Sequence, residues 1–242
     1  MTSPDVGRTL RDFYDALLEA FGPQHWWPGD TRDETIIGAV LTQNTAWGNV
    51  ERAIDQIKSA NLLSLAALHA VNESTLAQLI RPAGTYRVKA GRLKSLISWI
   101  DLNHGGDLEA MFATPLTALR ESLLTVPGVG PETADAILLY AGNHPTFVVD
   151  AYTQRVLRRH FLSEPRPLGS GRSEPRLSRS SRGDNRSSYA RTKELFERNI
   201  APDAQRYGEY HALLVEVGKR FCRTRARCDQ CPLRHWPHDA EL

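Results

Sequence analysis

Apolar residues recur along this chain at the spacing of a helix face nearly everywhere. Leu10, Phe13, Tyr14, Leu17, Leu18 and Phe21 stand at i, i+3, i+4, i+7, i+8 and i+11, which places all six on one side of a helix. Gly22-Pro23 ends that helix, because Gly frees the backbone and Pro cannot continue the hydrogen-bond ladder. The same spacing predicts a second helix after Asp33 (Ile36, Ile37, Val40, Leu41) and a third through Val50, Ala53, Ile54 and Ile57. Further helices are predicted at Leu76–Ile80, Lys89–Ile100, Leu116–Leu124, Glu132–Ala141, Ala151–His160, Thr192–Ile200 and Tyr207–Phe221. Only Thr146–Val149 is β-branched and apolar enough for extended chain, and it is too short to build a sheet. The predicted fold class is all-α.

One segment breaks the pattern. Of the 26 residues in 163–188, 20 are Gly, Pro, Ser or Arg, and such a stretch cannot bury enough apolar surface to offset its ordering entropy. It is read as a disordered surface insertion whose six arginines are solvated or hold phosphates.

Composition narrows the classes. A hydrophobic content of 41% supports a real core and excludes a wholly disordered chain, a coiled coil or a collagen-like repeat. No apolar run reaches the length of a membrane span, and Met1–Arg11 has no signal-peptide pattern. Three cysteines confined to Cys222–Cys231 do not form a disulfide framework, so the expectation is a cytoplasmic protein. The net charge of +2 hides a split: residues 151–242 carry 19 Lys and Arg against 11 Asp and Glu, whereas residues 1–150 carry 11 against 17. That asymmetry fits a C-terminal part facing a polyanion, or a solvated basic tail.

The most informative stretch runs from Leu123 to Arg159. In Leu124-Thr125-Val126-Pro127-Gly128-Val129-Gly130-Pro131-Glu132-Thr133-Ala134, a helix ends before Pro127, two glycines permit a tight connection, and Pro131 suits a first helical turn. The amides of Gly128, Val129 and Gly130 are expected to face outward beside a helix N-terminus, an arrangement that suits a phosphate. About twenty residues on, Val148-Val149-Asp150-Ala151-Tyr152 places a carboxylate after an apolar pair at a helix start. Asp150 is then either an N-cap or a partly desolvated carboxylate that stabilises positive charge developing on a sugar.

Leu-x-x-Val-Pro-Gly-Val-Gly-x-x-Thr-Ala-Asp followed by Val-Val-Asp150 resembles the helix-hairpin-helix motif and the Gly/Pro-rich loop with catalytic Asp of the endonuclease III superfamily of DNA glycosylases. Leu41-Thr42-Gln43-Asn44-Thr45 and the C-terminal cysteines extend the likeness over most of the chain outside the Arg/Ser-rich insertion. The resemblance implies cleavage of the N-glycosidic bond of a damaged base flipped out of double-stranded DNA. Bifunctional members carry a Lys in the helix after the hairpin that forms a Schiff base with the sugar. By alignment on the Gly-Val-Gly turn, that position is Glu132, and a carboxylate cannot form an imine. The resemblance therefore implies a monofunctional enzyme with water as nucleophile and Asp150 as the essential carboxylate.

Trp26-Trp27-Pro28 and Trp47 hold three of the five tryptophans, and flat aromatic faces bind bases by stacking. Trp-Trp-Pro with an aromatic after Gln-Asn-Thr resembles the 3-methyladenine glycosylases of the superfamily, which implies a base pocket of Trp26, Trp27, Trp47, Glu132 and Lys219 for an alkylated purine. Each tryptophan is also a candidate for core packing, Glu132 for a first-turn residue favoured by the helix dipole and Lys219 for a solvated helix end. The resemblance gives Gln43 the role of a wedge that fills the gap left by the flipped base, and gives Gly128, Val129 and Gly130 the DNA backbone.

The family's iron–sulfur loop uses four cysteines at nearly the spacing Cys222-x5-Cys228-x2-Cys231, but no fourth Cys follows, and Pro237 stands where it would fall. His235 and His238 flank that position, which leaves open a [4Fe-4S] cluster or zinc with three Cys and one His, or a loop that no longer binds metal. No catalytic metal is expected. Arg223, Arg225 and Arg227 are expected on the DNA backbone. The resemblance implies two helical lobes with a cleft between them: residues 32–134 as a helical barrel carrying the hairpin, and residues 1–31 with 135–242 as the lobe of Asp150 and the Cys loop. A monomer in the prokaryotic cytoplasm, associated with the nucleoid, is the expected form. The alternatives are a bifunctional glycosylase/AP lyase on oxidised pyrimidines, a mismatch thymine or uracil glycosylase, and a DNA-binding module without catalysis.

Overall fold

The structure, a computed structural model, describes residues 5–26, 29–162 and 181–242. In chain order its helices are α1 (Val6–Phe21), α2 (Arg32–Leu41), α3 (Trp47–Ser59), α4 (Leu65–Ala70), α5 (Glu73–Leu79), α6 (Tyr86–His104), α7 (Leu108–Phe112), α8 (Leu116–Leu123), α9 (Pro131–Ala136), α10 (Ala151–Arg159), α11 (Ser181–Asn199) and α12 (Ala204–Arg220). Short 3₁₀ turns occupy Arg81–Ala83 and Cys228–Gln230, and a π turn over Ile137–Ala141 continues α9. No strand occurs among the described residues, as the helical periodicity predicts, and none of these helices is long and apolar enough to cross a membrane.

Polar caps hold the helix starts. Asp5, Thr31, Ser64, Asn72, Asp107, Asp150 and Asp203 each accept a first-turn amide, so donors that would otherwise lack a partner are satisfied. The second helix starts two residues earlier than its apolar pattern suggests, at Arg32, because Thr31 caps it. Asp33 instead takes the Leu65 amide at 2.6 Å, at the start of α4.

Two compact units result, residues 27–144 and residues 1–26 with 145–242. The break expected between 134 and 135 falls inside α9, which cannot divide between units without losing its own ladder. Within residues 27–144, α2 is buried from Glu34 to Leu41 and forms the centre; Ile36 to Leu41 are apolar on every side, and the buried Glu34 is paired with Lys58 at 2.8 Å. Around it pack Val50, Ile54 and Ile57 of α3 and Leu93, Leu96, Ile97 and Ile100 of α6. The hairpin of α8 and α9 is locked by charge. Arg120 Nε and Nη2 donate to Asp135 Oδ1 and Oδ2 at 2.8 and 2.9 Å, and Asp135 is fully buried.

The other unit is built on α1 and α12. Leu10, Phe13 and Leu17 of the predicted α1 face are fully buried, and the Tyr210 hydroxyl of α12 donates to the Leu10 carbonyl at 2.7 Å. Phe147 stacks on Phe196 of α11 with ring centres 3.9 Å apart, and the edges of Tyr207 and Tyr210 close the cluster at 5.5 and 6.0 Å. The insertion expected as disordered over 163–188 is helical from Ser181 onward; residues 163–180 lie outside the described residues. Phe147 is fully buried at the centre of this cluster, so Phe147→Ala should cost about 3–5 kcal/mol. The check is a lower urea midpoint with an unchanged m-value.

Candidate active site and nucleic-acid interface

Phe147, Val148 and Val149 are buried, and this apolar run delivers Asp150 to the start of α10 with extended backbone (φ −113°, ψ −176°). One carboxylate oxygen accepts the Thr153 amide at 2.7 Å, so Asp150 is the N-cap. Its other oxygen faces His211 Nε2 at 3.7 Å, from the buried His211 of α12. Burial alone would raise the carboxyl; the proximity and charge of His211, with Thr153, outweigh it and hold Asp150 below the usual carboxylate value. The group is therefore a half-buried, ionised carboxylate.

The series continues outward from His211. The Trp26 ring lies 5.4 Å from the His211 ring at 36°, and the Lys219 ammonium sits 5.8 Å from the centre of Trp26. Asp150, His211, Trp26 and Lys219 thus form one row within the unit. Gly218 makes the approach of α10 and α12 possible, since a Cβ there would stand 2.5 Å from the Tyr152 ring. Arg155, lying on the Tyr152 ring at 5.1 Å, donates to the Cys222 carbonyl at 2.5 Å and fixes the helix pair. Trp27 lies outside the described residues. His211 is a site residue that the sequence pattern does not single out, although it stands two helical turns before Lys219 on the same face.

The other unit carries the remaining candidates. Gly128 has φ +88°, and a Cβ on it would meet Arg92 Cγ at 2.2 Å, so the turn needs glycine twice over. The Val129 amide donates to the Val126 carbonyl at 3.0 Å, and its side chain is buried. Of the three amides expected to face outward, Val129's is therefore spent inside the turn. Gln43 is held against the hairpin: its amide nitrogen donates to the Gly128 carbonyl at 3.0 Å and to Thr133 Oγ1 at 2.9 Å, while Arg92 donates to its carbonyl oxygen.

Three residues before Arg92, the fully buried Lys89 donates to the carbonyls of Leu41 and Ala83 at 2.6 and 2.7 Å and to Thr45 Oγ1. Burial pulls this amine down to about 8. Neither Lys89 nor Arg92 is legible as a site residue in the sequence, because both lie inside an apolar-periodic helix. Glu132 is exposed in the first turn of α9, and Trp47 is half-buried with its indole nitrogen donating to Glu51 at 2.9 Å.

Arg223, Arg225 and Arg227 are exposed on the C-terminal loop of the unit of residues 1–26 and 145–242. Cys222, Cys228 and Cys231 line one cavity together with His160 and His238, whereas His235 is exposed and not part of its wall. As the side chains stand, no three His, Cys, Asp or Glu among the described residues converge enough to hold a single ion. Arg159 enters the same cavity, buried, with Nη1 3.2 Å from Cys222 Sγ.

An all-α fold with a Gly-Val-Gly hairpin and a half-buried ionised carboxylate at a helix start is that of a base-excision DNA glycosylase. The chain belongs to the HhH-GPD superfamily of base excision DNA repair proteins, whose family model matches residues 37–174. It is 44% identical over 224 residues to a Methanocaldococcus jannaschii chain assigned as a DNA repair glycosylase, covering 92% of this chain and 93% of that one. Endonuclease III of Sulfolobus acidocaldarius is 25% identical over 212 residues, 86% of this chain and 83% of that one. Among solved structures, the Helicobacter pylori 3-methyladenine DNA glycosylase bound to 1,N6-ethenoadenine superposes with a TM-score of 0.68 at 28% identity, covering 89% of this chain and 98% of that one. A non-covalent endonuclease III–DNA complex reaches a TM-score of 0.74 at 21% identity, over 98% of this chain and 96% of that one, and so shares the fold.

The lowered Asp150 value fixes a pH dependence. Its contribution to stability is complete above the unfolded value of 3.8 and is lost as pH falls through the folded-state value. Asp150→Asn keeps the cap and removes the charge. Urea unfolding of the two proteins should show wild type's margin over the variant shrinking below pH 3.8 relative to neutral pH.

Proposed function

We propose that this glycosylase is monofunctional and acts on an alkylated purine of the 3-methyladenine kind in double-stranded DNA. The observation that carries the reading is the row of Asp150, His211, Trp26 and Lys219: an ionised carboxylate with an aromatic face in the same unit. A purine methylated on a ring nitrogen is cationic, so it leaves as a neutral base when the C1′–N bond breaks and both bonding electrons go to the ring. The departing base needs little protonation, and the positive charge appears on the deoxyribose. A carboxylate held ionised by Thr153 and His211 stabilises that charge without reorganising during the reaction. Water then attacks C1′ and loses its proton, and Asp150 orients it. Trp26 stacks on the cationic base.

Glu132 supports water rather than an amine as the nucleophile, since it stands where the resemblance puts the Schiff-base lysine. The likeness to the Helicobacter pylori enzyme favours the alkylated purine. Trp27 and Trp47 are proposed for the rest of the base pocket and Gln43 for the duplex gap. Gly128, Val129 and Gly130 with the exposed Arg223, Arg225 and Arg227 are proposed for the phosphates. Since Gln43 bonds Gly128, Thr133 and Arg92, entering the duplex requires it to exchange those bonds for DNA. The enzyme works as a monomer on the prokaryotic nucleoid.

Incision of DNA carrying methylated purines, thymine glycol, or G:T and G:U pairs tests the reading. Strand breaks at methylated purines only after alkali, abolished in Asp150→Asn while binding persists, are expected. Breaks without alkali would mean an amine nucleophile and overturn it; an Asp150→Asn protein with full activity would remove the carboxylate from the mechanism. Trp26→Ala should weaken substrate binding by about 1–3 kcal/mol, read as a raised half-saturation in single-turnover assays. Replacing Arg223, Arg225 and Arg227 with Ala should flatten the slope of log K against log salt by about 0.9 for each phosphate no longer neutralised.

A further inference from the structure

The Gln43 side chain is engaged at both ends. Its amide nitrogen donates to the Gly128 carbonyl and to Thr133 Oγ1, and its carbonyl oxygen accepts from Arg92. Three bonds therefore hold a side chain that is only half-buried, and all of them come from the hairpin or from α6.

Of these partners Arg92 is the one that carries a charge, and it does so without a counter-charge. Its stem lies on the turn itself, since a Cβ on Gly128 would meet Arg92 Cγ at 2.2 Å. Among the described residues its guanidinium makes one hydrogen bond, to Gln43, and pairs with no carboxylate. Glu73 of α5, packed beside the neighbouring Gly91, acts on Lys94. Three residues before Arg92 on the same face stands Lys89, whose amine is pulled down to about 8 by burial and then by the charge of Arg92. Neither cation is paired with a carboxylate among the described residues, so the potential beside the turn is positive.

An amide oxygen is a poor match for a guanidinium. The planar fork of Arg takes two oxygens of a phosphate through two charge-assisted bonds, whereas the Gln43 carbonyl offers one acceptor and no charge. Gly128 is exposed, so a backbone phosphate that settles on the turn meets a half-buried cation able to exchange partners. Once Arg92 turns to the phosphate, Gln43 keeps only the two bonds of its amide nitrogen.

From this arrangement, and resting on the proposed role of Gln43, we infer that Arg92 is a further ligand for a DNA phosphodiester. The phosphate and the Gln43 carbonyl compete for the same guanidinium, so seating the DNA backbone on the turn unlatches the side chain that fills the duplex gap. The consequence is an order of events: the wedge is freed where the backbone is already held.

The test measures binding of the full chain to an undamaged duplex over a range of salt, for wild type, Arg92→Met, Arg92→Gln, Arg92→Lys and Gln43→Ala. Both neutral variants should flatten the slope of log K against log salt by about 0.9, the value for one phosphate, while Arg92→Lys and Gln43→Ala keep the wild-type slope. An Arg92 that only supports the fold would weaken binding equally at every salt concentration; an unchanged slope in a folded neutral variant overturns the assignment. Circular dichroism shows which variants are folded, and either neutral variant is enough. A second readout needs no change at Arg92. The nitrogen-labelled side-chain amide of Gln43, assigned by its loss in Gln43→Ala, should shift when wild type is saturated with the duplex. An unmoved resonance would mean that Gln43 stays latched, and it would overturn the exchange. Alkali-dependent incision at methylated purines, measured on the same proteins, separates this inference from the proposed substrate: wild type lacking that activity but showing the slope and resonance changes would remove the substrate and support Arg92.

Discussion

Keeping the Asp150 carboxylate charged while withdrawing it from water is the constraint on which residues 145–242 depend. A carboxylate largely withdrawn from water stays charged only with fixed partners, and here they come from two places. The start of α10 gives the Thr153 amide and the positive end of its helix dipole; α12 gives His211. Both must be close together, so the α10–α12 contact is tight, with Gly218 against the Tyr152 ring and Arg155 tied to the Cys222 carbonyl. The packing of α12 against α1 through Tyr210 then serves the same charge at one remove.

The N-cap and the functional carboxylate, two competing explanations of Asp150 in the sequence, are one arrangement. Capping uses one oxygen and leaves the other facing His211. A helix start is a natural place for such a group, since the same amides that order the helix favour the anion.

What is legible in the sequence is local. The six-residue apolar face of α1, the Pro131 helix start and the carboxylate after Val148-Val149 all depend on neighbours within a turn or two. His211 is not, because its partners are 61 positions away at Asp150 and farther still at Trp26, and only the packing of α12 joins them. The Val129 amide turns inward against expectation because a turn's own hydrogen bonding cannot be read from its glycines. Lys89 and Arg92 are hidden by the helix that carries them; one polar residue on an apolar-periodic segment gives no sign that it points inward.

Lys89 also shapes how this sequence can drift. Its three protons meet three oxygens, of Leu41, Thr45 and Ala83; the Ala83 carbonyl keeps the Thr45 hydroxyl at 2.7 Å if the nitrogen is lost, but the Leu41 carbonyl is stranded at about 1–3 kcal/mol. Arginine is too long and too flat to replace a tripod of donors, and methionine offers none. A lineage leaving lysine here must reshape the end of α2 in the same step. The position therefore behaves as a ratchet, and the loop that presents Gln43 inherits its fixity.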